Sequence, residues 1–303
     1  MYARFAMNIK EMKRDTVAIL GLGKVGMAIG FLLRSAGYRI VAVASRSNLS
    51  INRGIVYTGG EAYTNFSDAA ARAECILITT ADDAIESVCN EISSAGSIKP
   101  GNKVIHMSGA GGLNLLETAH NAGANIASIH PLQSFADVEG AIKNIPGSTF
   151  GITTADEIKE WSVQIVRDLG GIPFFVSDTD KPLYHAAACI ASNYLTTLIY
   201  MVEEIYRSLG LNREDSIRAF WPLVRGTMKN VEAKGTVHAL TGPVARGDIG
   251  TINKHIQALR SRLPDLLPAY SILGILTTDI GLKKNTLSPQ DAERIKQLLE
   301  GGL

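Results

Sequence analysis

Gly21-Leu22-Gly23-Lys24-Val25-Gly26 carries glycines at the spacing G-x-G-x-x-G, directly after the apolar run Thr16-Val17-Ala18-Ile19-Leu20 and before an amphipathic run from Met27 to Ser35. Between a strand and a helix each glycine has a use. Gly21 permits the tight turn, Gly23 lets backbone approach a pyrophosphate, and Gly26 lets the helix pack closely on the strand. Free amides at the helix start then face the phosphates. A second strand over 38–44 should end on an acid if it is to hold the ribose hydroxyls of NAD, yet it ends on Ser45-Arg46-Ser47. A guanidinium matches a ribose phosphate bidentately and the serines add hydroxyl donors, so NADP(H) is predicted over NAD. Thr80 and Ala81, beyond a further strand that opens at Cys75, complete the expected cofactor contacts. The plain alternative for Arg46 is a solvated loop cation.

Proton and substrate chemistry needs other groups. His130 closes a strand in Ser128-Ile129-His130-Pro131, and the carboxyl ends of strands border the ligand crevice of an open parallel sheet. An imidazole there can move the proton that accompanies hydride transfer, or it can simply pin the turn. Ser108, in the glycine-rich stretch His106-Met107-Ser108-Gly109-Ala110-Gly111-Gly112, should face the same crevice. It either bonds a ligand hydroxyl or caps a helix beginning at Leu113. On a long apolar helix from Lys181, the residues His185, Cys189, Ser192, Thr196 and Glu203 form one polar stripe, with Asn193 at its edge. A helix apolar nearly all round is expected to be buried, and its polar residues need partners. His185 and Asn193 are expected to meet substrate or nicotinamide, Cys189 and Thr196 to serve packing. Arg246, in the turn-rich 240–248, can clamp a substrate carboxylate, with His255 a weaker neighbour.

The elements that must position these groups alternate regularly. Strands are expected over 75–79, 103–106, 125–129, 150–152 and 172–176, with helices near 69–72, from 82, over 113–121 and over 155–169. This predicts an α/β fold: a Rossmann-like, doubly wound, mostly parallel sheet. From Asp180 the strand signals stop and helices follow over 181–209, 213–232, 251–262, 265–282 and 289–299. Ser288 caps the last of them. The expected domains are 1–178, nucleotide-binding and Rossmann-like, and 179–303, an all-helical C-terminal domain for substrate and dimerisation.

With 303 residues, two domains are expected; 46% apolar and 19% charged residues describe a globular chain and exclude disorder. Net charge +1 leaves no electrostatic case for nucleic acid or an anionic membrane. Cys75, Cys89 and Cys189 are scattered, with no ligand-spaced histidine, so no metal is expected and a reducing, cytoplasmic location is. Residues 1–14 lack the apolar core of a signal peptide, and Met7 and Met12 offer alternative starts. No apolar run reaches a membrane-spanning length.

The glycine loop, His106-Met107-Ser108-Gly109, His130-Pro131-Leu132-Gln133-Ser134-Phe135, Tyr184-His185-Ala186-Ala187, Ser192-Asn193-Tyr194, Thr241-Gly242-Pro243 and Arg246-Gly247-Asp248 together carry a resemblance. Across nearly its whole length the chain resembles Rossmann-like NADP-dependent oxidoreductases with a C-terminal helical domain of unknown function. The wider clan is similar to 6-phosphogluconate dehydrogenase and ketopantoate reductase, and holds prephenate dehydrogenase, pyrroline-carboxylate reductase, hydroxyisobutyrate dehydrogenase and deazaflavin-dependent NADP reductases. Ser108 and His130 resemble the Ser and His-Pro of prephenate dehydrogenases. His185 and Asn193 stand where ketopantoate reductases and hydroxyacid dehydrogenases carry Lys and Asn. That Lys is absent, Lys181 lying a turn earlier, and the late-loop glutamate of ketopantoate reductases has no counterpart near Thr251. An alternate ketopantoate reductase is similar in architecture. The resemblance implies NADPH-dependent hydride transfer to the carbonyl or imine of a small carboxylate-bearing metabolite, a ketopantoate-type 2-keto acid being the best named candidate, by a homodimer. The alternatives are a non-catalytic NADPH-binding sensor and a deazaflavin-dependent NADP reductase.

Overall fold

A computed structural model describes residues 14–302; the expectations for residues 1–13 lie outside them. Eight strands form one sheet: β1 (Thr16–Leu20), β2 (Arg39–Ala44), β3 (Glu61–Tyr63), β4 (Cys75–Ile78), β5 (Lys103–His106), β6 (Asn125–Pro131), β7 (Thr149–Thr154) and β8 (Ile172–Phe175). Their order is β3-β2-β1-β4-β5-β6-β7-β8. Every neighbouring pair is parallel except β6 and β7. The Val, Ile and Ala runs of β1, β4 and β5 suit strands buried on both faces. Two apolar cores accordingly flank the sheet, one holding Ile19, Leu77, Ile105 and Ile129, the other Leu20, Ile78, Val104 and Ile126.

Helices cross between the strands: α1 (Lys24–Ser35), α2 (Asn48–Thr58), α3 (Phe66–Ala70), α4 (Ile85–Ser94), α5 (Glu117–Asn121), α6 (Val138–Asn144) and α7 (Lys159–Asp168). Side-chain oxygens cap two of the short ones, Asn65 accepting from the amides of Ser67 and Asp68, and Asp137 from that of Gly140. Such a cap stabilises by about 1 kcal/mol. The pairs Leu20 with Ile78, Ile78 with His106, and His106 with Ser128 lie in register, so β1, β4 and β5 end at one level and β6 runs on beyond it to Pro131. The order reverses between β1 and β4, the switch point at which such sheets leave a crevice.

The chain packs as two units that divide between Ser192 and Asn193. The strand pattern ends near residue 178, but α8 (Lys181–Cys189) packs with the sheet because Lys181 and Tyr184 reach into it. The second unit is helical: α9 (Leu195–Ser208), α10 (Arg213–Ala239), α11 (Ile249–Arg262), α12 (Leu267–Lys283) and α13 (Pro289–Glu300). Its core gathers Ile252, Ile256, Leu267, Ile295 and Leu299. Ser288 caps α13 as expected, accepting from the Asp291 amide at 3.1 Å. α10 changes direction at Gly235, whose φ of 74° lies in the left-handed region.

The expected single helix over 181–209 is interrupted by a π-turn at Ile190–Tyr194. One extra residue per turn shifts the 100° register, so the polar stripe does not run straight from His185 to Glu203. The expected burial is also corrected: α8 buries only Lys181 and α9 buries no residue fully. Tyr200 is 56% exposed and Leu223 of α10 is 72% exposed. Among the described residues no helix is long and apolar enough to cross a membrane. Nor do three His, Cys, Asp or Glu side chains there converge as a metal site requires.

Candidate active site

The glycine loop meets three different demands. Gly21, at φ 110°, would bring a Cβ to 2.6 Å from the Thr80 amide nitrogen, and a Cβ on Gly26 would collide with the Gly21 carbonyl. Both glycines are therefore required by the protein itself. Around Gly23, among the described residues, nothing lies within 4 Å of where a Cβ would sit. Its glycine is not needed for packing among those residues, which suits close approach by an outside group. Gly23 also starts α1 without a side-chain cap, and no acid occupies the first turn. The buried Thr80 hydroxyl, just past β4, has no hydrogen-bond partner among the described residues, and such a group costs free energy until paired. An open glycine, uncapped amides and an orphaned hydroxyl together fit a dinucleotide pyrophosphate. Ser45, Arg46 and Ser47 follow β2 beside this loop, because the Gly21 amide donates to the Ala44 carbonyl at 2.8 Å. Arg46 and Ser47 are exposed, and Ser47 begins α2 without using its hydroxyl as a cap.

At the ends of β4, β5 and β6 a polar cluster assembles. The Ser108 hydroxyl donates to Asp82 Oδ2 at 2.7 Å and accepts from the Gly111 amide at 2.9 Å. The expected Ser108 cap on Leu113 does not form. Asp178, from beyond β8, accepts the Leu113 amide at 2.9 Å instead. Beneath Ser108 lies His106, fully buried; its Nδ1 accepts the Ser108 amide at 3.1 Å, so its Nε2 carries the proton and donates to the Gly112 carbonyl at 3.1 Å. Burial pushes its pKa down to about 4, so this ring is neutral.

Lys181 is 1% exposed, and its ammonium donates to the Ser128 hydroxyl at 2.7 Å and to the Ser108 carbonyl at 3.2 Å. Burial lowers its pKa to about 8, against the opposing pull of Asp178 and Asp82. His130, two residues beyond Ser128 on the same face of β6, meets the Tyr184 hydroxyl at 3.0 Å through Nδ1. The ring of His185 stands edge-on to it, centroids 5.8 Å apart. Burial, with help from His185 and Lys181 and opposed by Asp82, holds His130 at about 4, neutral near pH 7. Both imidazoles rest on Gly109, where a Cβ would lie 2.9 Å from His130 Nε2 and would collide with His185 Cδ2.

His130, His185 and Ser108 are thus brought together. Sequence reasoning passed over four members of the cluster: Asp82 reads as a helix-start acid, Ser128 as a strand residue, His106 as a core residue, and Lys181 as a turn out of place. Tyr184 stood beside His185 in the chain, but only the antiparallel turn of β7 reveals what its hydroxyl touches. Asn193 and Arg246 belong to the second unit. Asn193 lies in the π-turn, its carbonyl accepting from the Thr197 hydroxyl at 3.2 Å. Arg246 is exposed and ends a short 3-10 turn before Asp248, which caps α11 by accepting the Thr251 amide at 3.0 Å. His255 bonds the Tyr270 hydroxyl at 2.9 Å.

A doubly wound sheet of order 3-2-1-4-5-6, with a glycine loop at the β1–α1 crossover and a helical domain after it, places the chain in the Rossmann-like class. More particularly, residues 5–131 match the Rossmann-like domain and residues 148–277 match the domain of unknown function DUF2520. The cluster draws on both, His130 from the first and Lys181, Tyr184 and His185 from the second. A Bacteroides fragilis protein described as a candidate NADP oxidoreductase is similar in structure at 19% identity, covering 88% of this chain and 98% of that one, with a TM-score of 0.73. A Thermotoga maritima protein is similar at 21% identity, 89% and 100% coverage and a TM-score of 0.68. Plasmodium falciparum pyrroline carboxylate reductase with NADP bound is similar at 15% identity, 95% and 99% coverage and a TM-score of 0.58. No curated protein sequence matches the chain.

Proposed function

We propose that the chain is an NADPH-dependent oxidoreductase acting on the carbonyl or imine of a small carboxylate-bearing metabolite, of which a ketopantoate-type 2-keto acid is the best named candidate. The observation that carries this reading is the pairing, on one sheet edge, of a glycine loop open at Gly23 with a cluster in which His130 is held neutral. The similarity to a reductase with NADP bound supports it. Bound NADPH would supply the hydride. The loop amides would hold the pyrophosphate and Thr80 would find its partner there, with Ala81 alongside. Arg46, with Ser45 and Ser47, would take the ribose phosphate. His130 and His185 would meet the reacting group. Ser108, with its hydroxyl engaged at both ends, shapes the loop beneath them. In this reading Asn193 orients the substrate and Arg246 binds its carboxylate.

Fluorescence titration and single turnover test the proposal together. NADPH should bind more tightly than NADH, and Arg46→Ala should weaken NADPH by about 10- to 100-fold, as expected for a charge-assisted contact, with NADH unchanged. Bound NADPH should then be oxidised by at least one member of a panel of 2-keto acids and cyclic imines. Tight binding with no oxidation by any member would sink the enzymatic reading.

The apolar residues exposed on α9 and α10 of the single chain are the ground for a homodimer built on this unit. Light scattering on the purified full chain should give twice the monomer mass, and Leu223→Glu should return it to the monomer. Free, buried Cys75 and Cys89 suit the cytoplasm.

A further inference from the structure

Tyr184 and His130 form a pair whose geometry has a direction. Gly151, opposite His130 on β7, has no side chain, and a Cβ there would lie 2.7 Å from the Tyr184 hydroxyl. The glycine lets the phenol reach the strand, its hydroxyl lying against the Gly151 backbone. His130 Nδ1 lies 3.0 Å from the phenol oxygen. A neutral phenol is the stronger donor and an imidazole nitrogen the stronger acceptor, so the O–H points to the ring. Burial raises the phenol pKa further and keeps that proton in place.

Resting on the function proposed above, we propose that Tyr184 is a positioning residue that fixes His130 as the Nε2–H tautomer, so that His130 meets substrate as an uncharged hydrogen-bond donor and selects a carbonyl oxygen over a protonated iminium. The Nε2 edge is the one turned toward Gly109, at the end of β5. A neutral N–H there stabilises negative charge as it develops on an oxygen. Opposite an iminium N–H it would set donor against donor. His185 flanks the ring edge-on, while Lys181 and Asp82 act on it through their charges.

The test reads the ring directly. In the full chain with histidine labelled by nitrogen-15, and with His130→Gln to assign its signals, His130 should show a pyridine-like Nδ1 and a pyrrole-like Nε2 near pH 7. Tyr184→Phe, which removes one oxygen, should populate the Nδ1–H form. In single turnover, pyruvate should be reduced faster than a cyclic imino acid, and Tyr184→Phe should narrow that preference by lowering the rate for pyruvate, with little change in half-saturation. An Nδ1–H ring in the parent, an unchanged spectrum in Tyr184→Phe, or preference for the imino acid would overturn the proposal. Because the spectra need no cofactor or substrate, they stand or fall apart from the enzymatic reading. The expected tautomer in a protein that oxidises no NADPH would remove that reading and leave the role of Tyr184 in place.

Discussion

Gly109→Ala should cut the rate of hydride transfer by about 100-fold while leaving NADPH affinity unchanged. The added methyl would enter 2.9 Å from His130 Nε2 and collide with the His185 ring. Neither ring can yield freely. His130 is tied through Nδ1 to Tyr184, and His185 packs edge-on against it. Relief by moving Gly109 itself would drag the β5 loop, in which Ser108 is bonded to Asp82, Gly111 and His106. The stability cost of such overpacking is about 1–3 kcal/mol, less than a typical domain's whole stability, so the variant should fold. Stopped-flow single turnover reads the rate, and fluorescence titration reads the affinity. Equal loss of both would mean that the methyl disturbs the sheet as a whole and that the two rings have no special part in the reaction.

That Gly109 is so crowded could not be read from the chain, although the glycine itself stood in plain view. The strands β1, β4 and β5 were legible because each is an apolar run bounded by turn residues, buried on both faces. The three-residue β3 was not, since an edge strand reading Glu-Ala-Tyr carries no apolar signal. α6 was missed for a similar reason: Val138–Asn144 is short and buries only Ala141. The π-turn at 190–194 lies inside an unbroken helical pattern, and no local residue announces it.

The site followed the same division. Gly21, Gly26, His130 and Ser108 were legible because strand ends and glycine spacing are local facts. Lys181 was discounted for its register along a helix, because sequence spacing says nothing of how far a flexible stem reaches. Its ammonium crosses to Ser128 and the Ser108 carbonyl, contacts separated by 53 and 73 residues. The expected burial of the helix from 181 to 209 failed in the opposite way. An apolar face shows that something covers it, not that the same chain does.

Lys181 provides the second large effect, and its sign can be worked out. Its folded pKa of about 8 lies below the ordinary 10.5, because burial disfavours the charge and its direct partners are neutral oxygens. Below pH 8 folded and unfolded chains both carry the proton. Between about 8 and 10.5 the unfolded chain holds it and the folded chain has released it, so stability rises with pH through that window. The depressed pKa corresponds to up to about 3 kcal/mol gained by the upper end. Lys181→Met keeps most of the buried stem and removes the titration. Urea unfolding at pH 7.5 and pH 10 should therefore show parent and variant diverging, the parent gaining up to about 3 kcal/mol relative to the variant. The comparison cancels groups common to both, including Tyr38, which burial and Asp168 hold protonated. Parallel stabilities at the two pH values would mean that Lys181 keeps an ordinary pKa. The charge beneath Ser108 and His130 would then persist through the alkaline range, when it should be fading from pH 8 upward.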